Sequence, residues 1–170
     1  MPFLPIAGFQ GSDLPEALGW KTVADPYGDE ELYAVPRLQP DWAVIHVPEA
    51  DAEGNARIYG TPFWDRLMTR GARRVIVTAE TIVTREHLAA QPELTAIPEL
   101  FVAAVVHAPG GGWPGSCFPL YEIDYAAAGA YAAMPTDAEC LDRHLTVTAP
   151  RDRGQTSADV TVVYSGSDAG

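Results

Sequence analysis

Lysine is almost missing from this chain. Of 11 basic residues only Lys21 is lysine, the rest being arginine, against 23 acidic side chains and a formal net charge of −12. A surface of that sign repels a polyphosphate backbone, which argues against nucleic-acid binding. It leaves room for one anionic small molecule, because a single arginine or a nest of backbone N–H groups holds a phosphate even on an acidic protein. Cysteine is scarce as well. Cys117 and Cys140 are too few and too far apart for a disulfide framework or a zinc knuckle. The four histidines, at 46, 87, 107 and 144, are scattered. With no His or Cys at ligand spacing, no metal is expected. No apolar run approaches the roughly 18 residues of a membrane span. The opening M-P-F-L-P-I-A-G has no basic n-region, so no secretory signal is expected, and the expected compartment is the cytoplasm.

What is present is an ordinary globular composition, 47% apolar over 170 residues. One α/β domain is expected over 1–146, followed by a Ser/Thr/Asp/Gly-rich flexible tail over 147–170 in which V-T-V-V-Y could pair as an edge strand. Residues 1–20 are punctuated by Pro and Gly and read as irregular. The segment E-L-Y-A-V-P reads as a short strand ended by Pro36. The runs at 42–47, 73–78 and 101–107 are apolar without alternation, which suits strands covered on both faces. A helix is expected over 61–71, with Thr61 as N-cap, Pro62 at N1 and Phe63/Leu67 and Trp64/Met68 as apolar pairs. Two more helices are expected, over 124–133 capped by Asp124 and over 136–145 with Thr136 and Glu139 as a capping box. Helices between apolar strands give an open, mostly parallel sheet.

Open α/β sheets bind ligands at the carboxyl ends of their strands. Glu80 ends the R-V-I-V-T strand and is the candidate catalytic carboxylate, with a capping or interface acid as the alternative. His46 lies inside an apolar strand, where a satisfied core or interface histidine is the commoner outcome. Gly110 to Gly115 formally match G-x-G-x-x-G, but Pro114 and Pro119 oppose the helix that a dinucleotide site requires. Gly111 and Gly112 are instead candidates for a loop that a ligand or partner approaches at its backbone, with a plain surface loop as the equal alternative. Ser116 and Cys117 follow in the same loop. A nucleophile there would need an adjacent base, and a small packed Ser-Cys pair is the plainer reading. Asp51, Glu53, Gly54 and Asn55 lack the spacing of a calcium loop and read as a solvated turn.

An ordered series of motifs adds to this. It runs P-F-L-P-I-A-G (2–8), G-S-D-L (11–14), V-A-D-P-Y (23–27) and A-V-P-x-L-x-P-D-x-A-V-I-H (34–46). It continues A-D-x-x-G-N-A-x-I-x-G (50–60), A-R-R-V-I-V-T-A-E-T-I-V (72–83), P-G-G-G-W-P-G-S-C (109–117) and Y-x-x-D (121–124). The series resembles the A (alpha) chains of two-component CoA-transferases of the glutaconate type, over their C-terminal half only. The resemblance implies an α/β fold like that of sugar-phosphate isomerases. It implies a partner like the family's B (beta) chain, with coenzyme A, an acyl-CoA and a carboxylic acid as substrates rather than resident cofactors. In that family a glutamate carboxylate attacks the acyl-CoA carbonyl and passes through a glutamyl-CoA thioester. Its S-E-N-G-like nucleophile motif belongs to the beta chain and does not occur here, so the resemblance places the nucleophile on a partner chain. A thioester or ring hydrolase of the same family and a non-catalytic binding module are the alternatives.

Overall fold

The computed structural model describes residues 2–134 and 161–165. The chain divides into two compact units, Met1–Gln39 and Pro40–Gly170. In the first unit, β1 (Phe3–Ile6), β2 (Lys21–Ala24) and β3 (Glu31–Pro36) form an antiparallel sheet in the order β1-β3-β2, with a short helix α1 (Leu14–Ala17). The expected strand ending at Pro36 is there. The expected irregularity of residues 1–20 is not: Phe3 to Ile6 pair with Tyr33 to Pro36. Pro5 lies on the edge strand β1, and Pro36 ends β3 beyond its pairing with β2, which reaches only Ala34, so neither breaks the sheet. Trp20 packs edge-on to Phe9, with ring centroids 5.6 Å apart, and lies 6.4 Å from Tyr33.

The second unit is built on a six-stranded mixed sheet with flanking helices. Its elements are β4 (Trp42–Ala50), β5 (Ala56–Arg57), α2 (Asp65–Gly71), β6 (Arg74–Ile82), α3 (Arg85–Ala89), β7 (Thr95–Ile97), β8 (Val102–His107), α4 (Tyr125–Ala132) and β9 (Thr161–Ser165). The strand order is β7-β5-β4-β6-β8-β9. The α/β class is as expected. The three apolar runs are the parallel centre, β4 with β6 and β6 with β8. The short strands β5, β7 and β9 pair antiparallel around it. The edge-strand option is realised over Thr161–Ser165: β9 pairs with β8 through Val105↔Tyr164 and His107↔Thr161. The helix expected over 136–145 lies outside the described residues.

Ile45, Val47, Val75, Val77, Ile97 and Val105 make the buried core on one face of this sheet. Each is worth about 1.5–3 kcal/mol of burial. The expectation of strands covered on both faces is not met among the described residues. Burial alternates along β4, and Val44 on the second face is 61% exposed. The apolar pattern is the same on both faces, so it could not tell them apart. Helix α2 also starts later than expected. Thr61 does not cap it; Phe63 sits at φ 39°, and the helix begins at Asp65. Phe63 and Trp64 remain 81% and 70% exposed, so the i,i+4 pairs lie outside the core. Asp124 does cap α4, accepting from the Ala127 N–H at 2.9 Å. Among the described residues no helix is long and apolar enough to cross a membrane.

Candidate functional site

The parallel register sets His46 on β4 beside Thr78 on β6. Glu80 follows Thr78 two residues on, so both side chains project from the same face of β6. His46 spans the two. Its Nε2 lies 2.7 Å from Glu80 Oε1 and its Nδ1 2.9 Å from Thr78 Oγ1. Glu80 is the hub of the cluster. The Tyr121 hydroxyl donates to Oε1 at 2.5 Å and the Gly110 N–H to Oε2 at 2.6 Å. On the next strand, His107 Nε2 meets the Glu80 main-chain carbonyl at 3.2 Å. The Glu80 side chain is 8% exposed and that of His46 19%. Burial opposes the charge on Glu80, but the hydrogen bonds from Tyr121, Gly110 and His46 outweigh it and hold the carboxyl below its ordinary range. Burial and the Glu80 charge push the Tyr121 phenol well up.

The Gly-rich loop closes over this hub with the N–H groups of its first four residues after Pro109 already used. Gly110 donates to Glu80, Gly111 to Ala108 O, Gly112 to the Tyr121 hydroxyl and Trp113 to Gly110 O. Glycine is required at 111 and 112 for space. A Cβ at Gly111 would fall 2.9 Å from His46 Cε1, and one at Gly112 2.7 Å from Tyr121 Oη. The glycines therefore admit the histidine ring and the phenol beneath the loop.

Five of the expected residues thus converge: Glu80, His46, Gly111, Gly112 and Cys117. Ser116 is exposed on the loop and takes no part in the network. Cys117 is buried, and its thiol is pushed up to about 11 by burial and by the neighbouring Glu80 charge. It is therefore a thiol at neutral pH and a poor nucleophile. Sequence reasoning missed Thr78, Gly110 and Tyr121. Thr78 could have been found from its period-2 relation to Glu80; Tyr121 carried only the motif Y-x-x-D. His46, Glu80 and Cys117 also bring one nitrogen, oxygen and sulfur atom within 4.8 Å of one another. Linear spacing hid this cluster, since the three residues come from separate segments. Glu80 and His46 already serve each other as hydrogen-bond partners there.

Two further polar groups support the strand ends. Asp51 is fully buried, against the expectation of a solvated turn. Its Oδ1 accepts from the N–H groups of Glu53, Gly54 and Asn55 at 3.1, 2.8 and 2.8 Å, and its Oδ2 from the Asn55 amide at 2.8 Å. Arg57, 2% exposed, donates through Nη2 to the carbonyls of His87, Leu88 and Gln91, tying down the end of α3. Its Nη1 lies 3.6 Å from Glu49.

No protein-family model matches the chain. Individual relatives do. The alpha chain of glutaconate CoA-transferase from Acidaminococcus fermentans is 33% identical over 159 residues, covering 84% of this chain and 50% of that one. The corresponding alpha chain of 3-oxoadipate CoA-transferase from Pseudomonas knackmussii is 34% identical over 140 residues, covering 82% and 49%. The chain is a homologue of the CoA-transferase alpha chains. The fold agrees: the crystal structure of the Acidaminococcus fermentans glutaconate CoA-transferase matches with a TM-score of 0.78 at 31% identity, over 86% of this chain and 51% of that one. This homologue spans about half the length of the CoA-transferase chains it matches.

Proposed function

We propose that this chain forms part of a CoA-transferase that moves CoA between carboxylic acids, with the nucleophilic glutamate supplied by a partner of the beta-chain type. The observation that carries the second clause is the state of Glu80. It is the carboxylate that the cluster offers, yet both of its oxygens accept strong hydrogen bonds. A carboxylate so held has low basicity and must lose partners before it attacks a carbonyl, so it is poorly suited to be the nucleophile. Cys117, held as a thiol, is no better. The transfer reaction then runs through the partner. Its carboxylate adds to the acyl-CoA carbonyl and expels CoA thiolate, giving a mixed anhydride. The thiolate attacks the glutamyl carbonyl of that anhydride, giving glutamyl-CoA thioester and the free acid. The acceptor acid reverses the sequence. Coenzyme A is a substrate throughout.

The test is to co-express the chain with the products of neighbouring reading frames and assay the purified complex for CoA transfer. Hydroxylamine trapping in the presence of acyl-CoA should modify a glutamate of the partner. A trapped adduct on Glu80, or substantial turnover by this chain alone that Glu80→Gln abolishes, would overturn the proposal. Acyl-CoA hydrolysis without an acceptor acid would replace transfer by the hydrolase reading.

A further inference from the structure

Glu80 accepts from three donors that come from well-separated parts of the chain. His46 stands on β4, Gly110 follows β8, and Tyr121 closes the far end of the loop. Loss of the carboxylate would leave all three without their acceptor, and two of them belong to the Gly-rich segment and its return. The effect extends one layer further through His46. With Nε2 donating to Glu80, a neutral ring has Nδ1 free to accept from Thr78, and this fixes the ring plane. That ring is the floor under the loop, because it occupies the space a Cβ of Gly111 or Gly112 would need. Tyr121 adds a second tie. Its hydroxyl accepts from the Gly112 N–H while donating to Glu80, and its main chain pairs with Cys117.

We propose that Glu80, His46 and Tyr121 are positioning residues that clamp the 109–117 loop shut at the carboxyl ends of β6 and β8, and so fix the surface this chain presents to acyl-CoA. The clamp itself stands on the geometry; its role toward acyl-CoA rests on the CoA-transferase reading. Cys117 reports on the clamp, being buried beside Glu80 when the loop is closed.

The experiment alkylates the full-length chain with iodoacetamide under native conditions and counts Cys117 by mass spectrometry, with Cys140 counted separately. The variants are Tyr121→Phe and Glu80→Gln. Tyr121→Phe is decisive because it opens the tie while leaving the Glu80 charge beside the thiol. Loss of one or two hydrogen bonds should raise the labelling rate of Cys117 roughly tenfold or more at constant pH, with an unchanged far-ultraviolet spectrum. Rates within about twofold of the parent in a folded Tyr121→Phe protein would overturn the clamp, whatever becomes of the enzyme assay. Should Glu80→Gln fail to fold, Tyr121→Phe alone decides.

The second arm uses the co-expressed complex. A positioning role raises the KM for acyl-CoA in Tyr121→Phe more than it lowers kcat, and the partner's glutamate is still trapped by hydroxylamine. If instead Glu80→Gln abolishes adduct formation while Cys117 labelling stays at the parent rate, Glu80 is catalytic and the positioning role is wrong, although the family reading stands. If the unmodified complex transfers no CoA, that reading fails, and the labelling arm still decides the clamp.

Discussion

Replacing Asp51 should cost more than replacing any other acidic residue described outside the Glu80 cluster, and the hydrogen bonds give the size. In Asp51→Ala, four donors lose an oxygen. They do not lose equally. Gly54 N–H keeps a contact to the Asp51 carbonyl at 3.3 Å, and the Asn55 amide keeps Glu99 Oε2 at 3.1 Å. Glu53 is exposed, so its N–H can turn to water. Asn55 N–H has only the carboxylate. One orphaned donor costs about 1–3 kcal/mol, and the weakening of three charge-assisted bonds adds a similar amount. The sum is roughly 2–6 kcal/mol. Asp51→Asn keeps the oxygen that serves three N–H groups but turns an NH2 toward the Asn55 amide, so about 1–2 kcal/mol should be lost.

The assay is urea unfolding of the full chain followed by tryptophan fluorescence, with thermal unfolding beside it. At about 2–4 °C per kcal/mol for a chain of this size, Asp51→Ala should melt roughly 4–24 °C lower. The order parent, Asn, Ala is the signature of an acceptor that holds a turn. Equal losses in both variants would mean that charge rather than geometry matters. A loss under about 1 kcal/mol in Asp51→Ala would refute the buried-anchor account.

Three more outcomes follow from the same reasoning. Gly54→Ala forces a Cβ to 2.8 Å from Val102 Cβ at φ +111°, and should destabilise by about 2–4 kcal/mol in the same urea assay. Gly112→Ala should cost about 1–3 kcal/mol by pushing Tyr121 off Glu80, whereas Gly129→Ala, in open space on α4, should be neutral or stabilising by up to ~1 kcal/mol. Glu80 should give an acid-side stability term. Its carboxyl lies below the ordinary 4.5 when folded, so its contribution is complete above that value and is lost as pH falls through the folded value. Urea midpoints of parent and Glu80→Gln should therefore converge as pH is lowered below about 4.5, and a gap that stays constant down to acid would count against it.

The sheet was legible because three apolar runs of strand length stand between turn residues, and that signal depends only on neighbours along the chain. The Glu80 cluster was half legible for the same reason. Glu80 and His46 are polar residues at or inside apolar strands, which is visible locally. Their pairing is a consequence of register, His46 against Thr78, and no local pattern fixes the register of two parallel strands that are 32 residues apart. Tyr121 is the harder case. In sequence it is one aromatic residue beyond a Pro-rich loop, and only closure of that loop brings its hydroxyl to Glu80. The glycines at 111 and 112 have a structural cause that no sequence pattern shows. Their lack of side chains was read as an opening for a ligand to reach the backbone. In the fold the space is taken from within, by His46 and Tyr121, and the N–H groups from Gly110 to Trp113 already have acceptors. Asp51 was misread through composition, since an acidic Gly-Asn turn is usually wet. What distinguishes it is that three successive N–H groups turn inward onto one carboxylate, a feature of backbone direction that residue type does not encode. Each misreading has one source: sequence pattern reports what a residue can do, while the acceptor it meets is set by the topology.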